Sequence, residues 1–149
     1  MKKLFTILML IPVLLTGQNE PNIKIDLAKN NIYGEAHIGL YTQIVMNYEK
    51  QFKIGEKVSW YGRFGAGFGA DIAFDGGEGW GGLGAITMLT GKKNNHFELN
   101  AGAFITEEGI FFPVPILNFG YRYQKPEGGF IFRANAGIIS LGISFGYAF

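Results

Sequence analysis

The chain has 149 residues and no cysteine, which excludes disulfides and thiolate metal sites. Charged residues make up only 17%. Apart from Lys2 and Lys3, 11 basic residues stand against 12 acidic ones, a balance that gives no reason to expect a nucleic-acid partner. Beyond residue 17 no apolar run reaches the roughly 18 residues that a spanning helix needs. Serine and histidine are scarce too. Ser59, Ser140 and Ser144 are the only serines, and His37 and His96 the only histidines. Neither histidine has a Ser or Asp at a spacing that suggests a triad, and of the three serines only Ser144 falls cleanly on the histidine-bearing inner face. No enzymatic activity is expected. Nothing in the pattern calls for a cofactor or a metal.

What the chain does have is glycine (23) and phenylalanine (14). With so few charges, that composition suits a small barrel better than a helical domain. Residues 1–17 have the layout of a secretory signal. Lys2 and Lys3 form the positive start, Leu4 to Leu15 the apolar stretch, and Gly17 precedes the expected cut at Gln18. Residues 18–31 are polar and read as a short tail, although Ile23, Ile25 and Leu27 alternate and leave room for an extra strand.

The last nine residues, LGISFGYAF, alternate strictly. Leu141, Ile143, Phe145, Tyr147 and Phe149 are large and apolar, and the residues between them are small. Side chains on a strand alternate faces, so one face is greasy and the other nearly bare. Seven more alternating segments precede it: Ile32–Leu40, Gln43–Phe52, Ser59–Ala73, Gly81–Thr90, His96–Ile105, Val114–Gln124 and Gly129–Ile138. Most match the roughly nine to eleven residues of a tilted strand crossing a bilayer. Turn-forming residues separate most of them, at Gly55–Lys57, Asp75–Gly77, Lys92–Asn95 and Lys125–Gly128. The fourth segment is the weakest, blurred by glycine and by Ile86 beside Thr87. The fold class expected is all-β: an eight-stranded antiparallel up-and-down transmembrane barrel over residues 32–149.

Extending the terminal pattern assigns both faces. Outward positions are almost wholly uncharged, as lipid contact requires. Phe52, Trp60, Phe97, Tyr123, Phe130 and Phe149 fall at one level, near the chain ends, as an aromatic girdle. Trp80, Phe111 and Phe112 offer a weaker girdle at the other rim. Inward positions collect Glu35, Glu49, Arg63, Glu98, Arg122 and Arg133, with the polar residues His37, Asn47, Asn100, Asn118 and Asn135. Hairpin symmetry sets Glu49 across from Arg63 and Glu98 across from Arg122. It makes Arg122 and Arg133 neighbours and lets Gly146 leave room between Arg133 and Glu35. An isolated buried charge is costly, so these six are expected to pair as a ring that plugs the lumen, in the half nearer the chain ends.

Gly77, Gly79 and Gly82 match the dinucleotide pattern G-x-G-x-x-G, but a strand follows where that motif needs a helix. Asp75, Glu78, Glu107 and Glu108 are expected in wet outer loops, short of a built cation site.

Three stretches, TGKKNNHFELNAGAF (90–104), FGYRYQKPEGGFIFRANAGI (119–138) and LGISFGYAF (141–149), resemble segments of small outer-membrane β-barrel proteins of Gram-negative bacteria, with an OmpA/OmpX-like eight-stranded architecture. The activity of those relatives is itself unassigned, so no catalytic residue carries over. The resemblance implies a place in the outer membrane after signal cleavage. It also implies contact with lipid and lipopolysaccharide, recognition of the terminal strand and final Phe by the barrel-assembly machinery, and a monomer. The role expected is structural or interactive, with a plugged lumen. A narrow, porin-like conduit for solutes or ions is the alternative, then a lipid-modifying enzyme. A soluble lipocalin-like barrel would need the opposite polarity.

Overall fold

The computed structural model describes residues 27–72, 78–91, 93–107 and 113–149. Its strands are β1 (Asn30–Gly39), β2 (Tyr41–Ile54), β3 (Val58–Asp71), β4 (Glu78–Thr90), β5 (Asn95–Thr106), β6 (Val114–Gln124), β7 (Gly129–Gly137) and β8 (Ser140–Ala148). Each pairs antiparallel with the next, and β1 pairs with β8, so the sheet closes in up-and-down order. The seam is fastened at the chain end by reciprocal 2.8 Å hydrogen bonds between the backbones of Asn30 and Phe149. Closure leaves no sheet edge with unpaired backbone groups.

The strands follow the alternation closely, with two adjustments. Asn30 and Asn31, expected in the tail, are the first residues of β1, because they pair with Lys50 and Glu49 of β2. The tail therefore stops short of them. Leu27 is not in a strand; it is buried against Tyr61 and Leu89 and helps close the barrel at the chain-end side. The hydroxyl of Tyr61 and the amide of Gln124 donate to the Ala28 carbonyl, at 3.3 and 3.5 Å. The signal segment, Ile23, Ile25, Ala73, Asp75, Gly77, Lys92, Glu108, Phe111 and Phe112 lie outside the described residues.

The weakest segment turns out to be regular. Leu83, Thr87 and Leu89 point inward from β4, and Ile86 points outward. Gly79 and Gly82 sit within this antiparallel strand, with no helix after them, so the dinucleotide pattern is a coincidence of composition. Register explains several bare positions. A side chain on Gly146 would run into Tyr33 and the Ile32 carbonyl, whereas Gly84 has open space beside it. Gly146→Ala should therefore lower stability by about 1–3 kcal/mol, and Gly84→Ala by no more than about 0.5 kcal/mol. Urea unfolding in detergent micelles measures both; equal effects would contradict the register at the β1–β8 seam.

Candidate functional site: a buried charged network in the lumen

All six inward charges are buried with their side chains wholly screened from solvent. They lie between mid-height and the end that carries the chain termini, and they come from β1, β2, β3, β5, β6 and β7. The barrel is narrow enough for side chains from opposite walls to meet, and the contacts run across the lumen more than along it. Arg63 Nη2 pairs with Glu35 Oε1, and its Nε donates to Asn47 Oδ1 at 3.0 Å. Arg133 grips Glu98 through Nε (3.0 Å to each oxygen) and Nη2, and its Nη1 is 3.5 Å from Glu35 Oε2. Arg122 Nη1 bridges Glu49 Oε2 (2.7 Å) and Glu98 Oε2 (3.3 Å). Three carboxylates and three guanidinium groups thus form one chain: Arg63, Glu35, Arg133, Glu98, Arg122, Glu49.

Neutral groups complete the network. Asn31 Nδ2 and the Tyr33 hydroxyl donate to Glu49, at 3.1 and 3.2 Å. The Thr87 hydroxyl lies 2.9 Å from Glu49 Oε1 and 2.7 Å from Asn100 Oδ1. Asn100 Nδ2 donates to Glu98 (2.8 Å), and the Ser144 hydroxyl to Glu35 (3.0 Å). The Tyr33 ring lies between Arg63 (5.5 Å) and Arg133 (4.2 Å), and the Tyr61 ring faces Arg122 at 5.4 Å. These rings turn their π faces to cations that each keep at least one N–H group without a hydrogen-bond acceptor.

Three expected pairings change in detail. Glu49 does stand opposite Arg63 in the sheet, yet among the hydrogen bonds and ion pairs described the two do not pair: Arg63 reaches Glu35 while Arg122 takes Glu49. Glu98 stands opposite Gly120, and Arg122 opposite His96, two residues from the symmetric expectation. The bare Gly120 position lets Glu98 serve both Arg122 and Arg133. The residue between Arg133 and Glu35 is Ser144 rather than Gly146; Gly146 sits one inward position nearer the termini, beside Tyr33. Arg122 and Arg133 are cross-strand neighbours as expected.

His37 and Asn135 are buried nearer the loops, and Asn118 lies opposite Gly137 on the same side. His96 is buried at the start of β5 with its ring nitrogens 2.9 and 3.1 Å from the carbonyls of Thr90 and Gln124. Above the ring, toward the loops, Tyr41, Val45, Leu83, Phe104 and Ile116 pack together, with the Tyr41 and Phe104 rings 6.0 Å apart. Sequence reading missed this apolar layer, although Val45 shares its face with Asn47 and Glu49. It also missed Tyr33 and Tyr61, which the same two-residue rule carries inward; Ser144 is buried on the inner face as expected.

On the outside, Phe52, Phe97, Phe130 and Phe149 are exposed, and Trp60 and Tyr123 partly so, all near the chain-end rim. Tyr48 and Tyr121 join them, their hydroxyls donating to Asn30 Oδ1 (2.8 Å) and Asn95 Oδ1 (2.6 Å) at that rim. Trp80 stands at the other rim, edge-on to Phe68. Glu78 and Glu107 are exposed, and no cluster of metal-ligating side chains occurs among the described residues.

No family model, curated protein or solved structure matches the chain. Geometry and chemistry therefore carry the functional reading. Arg122→Ala removes the only cation that touches Glu49 Oε2 among the described ion pairs. It should cost about 3–5 kcal/mol, and replacing Arg122 and Glu49 together by Met and Leu should cost much less. Urea titration in micelles reads the difference; similar losses for single and double variants would contradict a buried network.

Proposed function

We propose that the chain is a membrane-embedded barrel of the Gram-negative outer membrane whose lumen is sealed, with a structural or interactive role in the envelope. The observation that supports this best is inverted polarity. Among the described residues, twenty-five large apolar side chains are exposed, while only 11 hydrophobic residues are buried. Phe145 is 53% exposed while Arg133, on the facing strand, is 0% exposed. A monomeric soluble protein rarely leaves so much continuous apolar surface in water. In hydrocarbon the same surface is matched, and the closed sheet satisfies the backbone groups that lipid cannot. The aromatic rims suit the two interfaces, where a ring's apolar body and polar edge both find partners. The N-terminal signal layout and the alternating final strand support export and delivery by the assembly machinery, with lipid and lipopolysaccharide as neighbours and a monomer as the working state.

The sealed lumen favours the structural reading over a conduit. The charged ring leaves no water-accessible side-chain surface, and apolar packing borders it toward the termini and on one side toward the loops. Exported chain should stay with membranes through a carbonate wash, and purified protein in planar bilayers should give no steady conductance at neutral pH. Release by carbonate would contradict the membrane seating; stable conductance steps would contradict the plug.

A further inference from the structure

The loop-end half of the lumen has two sides. The apolar cluster draws on β2, β4, β5 and β6. The polar side, under β1, β7 and β8, holds His37, Asn135 and Ser140. Ser140 is 103 positions from His37 in the chain. Only the β1–β8 seam unites them, by setting Ser140 opposite Gly39 and His37 opposite Gly142. We propose that Ser140, His37 and Glu35 form a nucleophilic site at the loop-end rim that hydrolyses carboxylic esters of acyl chains.

The Ser140 hydroxyl and His37 Nδ1 are 3.0 Å apart. The other ring nitrogen, Nε2, lies 3.0 Å from Glu35 Oε1, in a short contact that is bent away from a straight hydrogen bond. Catalytic contacts of this kind commonly straighten when substrate binds. With the proton on Nε2 held toward the carboxylate, Nδ1 is free to accept the serine proton, the division of labour that a triad requires. Glu35 is fixed by Arg63, Arg133 and the Ser144 hydroxyl, so it acts as a positioning residue. Asn135 stands opposite Gly142 on β8, as His37 does from β1. Asn135 is 6% exposed, and neither atom of its amide has a partner.

Ser140 Oγ attacks the carbonyl carbon while its proton passes to His37. The ester C–O bond breaks, and that proton goes to the departing alcohol oxygen. Water then attacks the acyl-serine by the same route, releasing a carboxylic acid and restoring Ser140. Ser140 is only half-buried, Gly39 opposite it has no side chain, and Ile38, Leu40, Ile138 and Leu141 are exposed around it. That apolar surround suits the acyl chain. The catalytic geometry is independent of the membrane reading, while the acyl-lipid source of substrate rests on it.

The full chain in detergent micelles, with folding checked by circular dichroism, should react with a fluorophosphonate probe at Ser140, located by mass spectrometry. It should also hydrolyse p-nitrophenyl esters, from butyrate to palmitate. Ser140→Ala and His37→Gln should lose the label and at least a hundredfold in turnover, with Ser59→Ala unchanged. Glu35→Gln should lower kcat at least tenfold at constant KM. Fatty acid released from phosphatidylethanolamine vesicles or from lipopolysaccharide identifies the lipid source. Butyrate turnover without release from either lipid would leave the triad standing and count against the membrane-derived substrate. Absence of label at Ser140, equal turnover in Ser140→Ala, or label without turnover of any ester would overturn the proposal.

Discussion

Three carboxylates and three guanidinium groups, enclosed by a sheet with no edge, are the interaction on which this molecule depends. Closing the sheet satisfies the backbone and commits every second side chain to a narrow interior. Charges placed there can neither reach water nor stay single, because the desolvation cost is met only by close, hydrogen-bonded partners. The resulting chain of contacts from Arg63 to Glu49 touches six of the eight strands. It ties the walls to each other and fixes which face of every strand looks inward, since a one-residue slip would turn the charges out.

The interior is layered around that ring. Leu27, Tyr61 and Leu89 close the end near the termini, and Tyr41, Val45, Leu83, Phe104 and Ile116 fill one side toward the loops. The remaining side keeps a polar recess with His37, Asn135 and Ser140. A closed barrel can thus hold a buried, charged foundation and still keep a polar recess at one rim. Glu35 belongs to both parts: it anchors Arg63 and Arg133 and stands 3.0 Å from His37.

The strands and the facing of each side chain were legible because a period of two is written directly in the sequence; LGISFGYAF alone sets the rule, and Glu35, Glu49, Glu98, Arg63, Arg122 and Arg133 all obey it. Pairing was legible only in part. The Gly55–Lys57 turn sets Glu49 opposite Arg63 only together with a one-residue bulge at Phe52, and the longer β5–β6 link allowed a two-residue displacement that put Gly120, not Arg122, opposite Glu98. Which acid takes which base was hidden for another reason. Long side chains meet across the lumen, where strand order around the cylinder matters more than neighbours on one hairpin. The same cause concealed Ser140 and His37, which meet only because the first and last strands join. Asn30 and Asn31 were placed in the tail because polar residues carry little strand signal until a partner strand pairs with them.

Because the chain contains no cysteine, single cysteines placed along β8 can carry spin labels without background. Collision with dissolved oxygen, which concentrates in hydrocarbon, and with a water-soluble nickel complex measures the surroundings of each label in lipid vesicles. Labels at positions 141, 143, 145 and 147 should meet oxygen and exclude nickel. Free access of nickel to the odd-numbered positions would contradict an apolar wall facing lipid around a sealed charged interior.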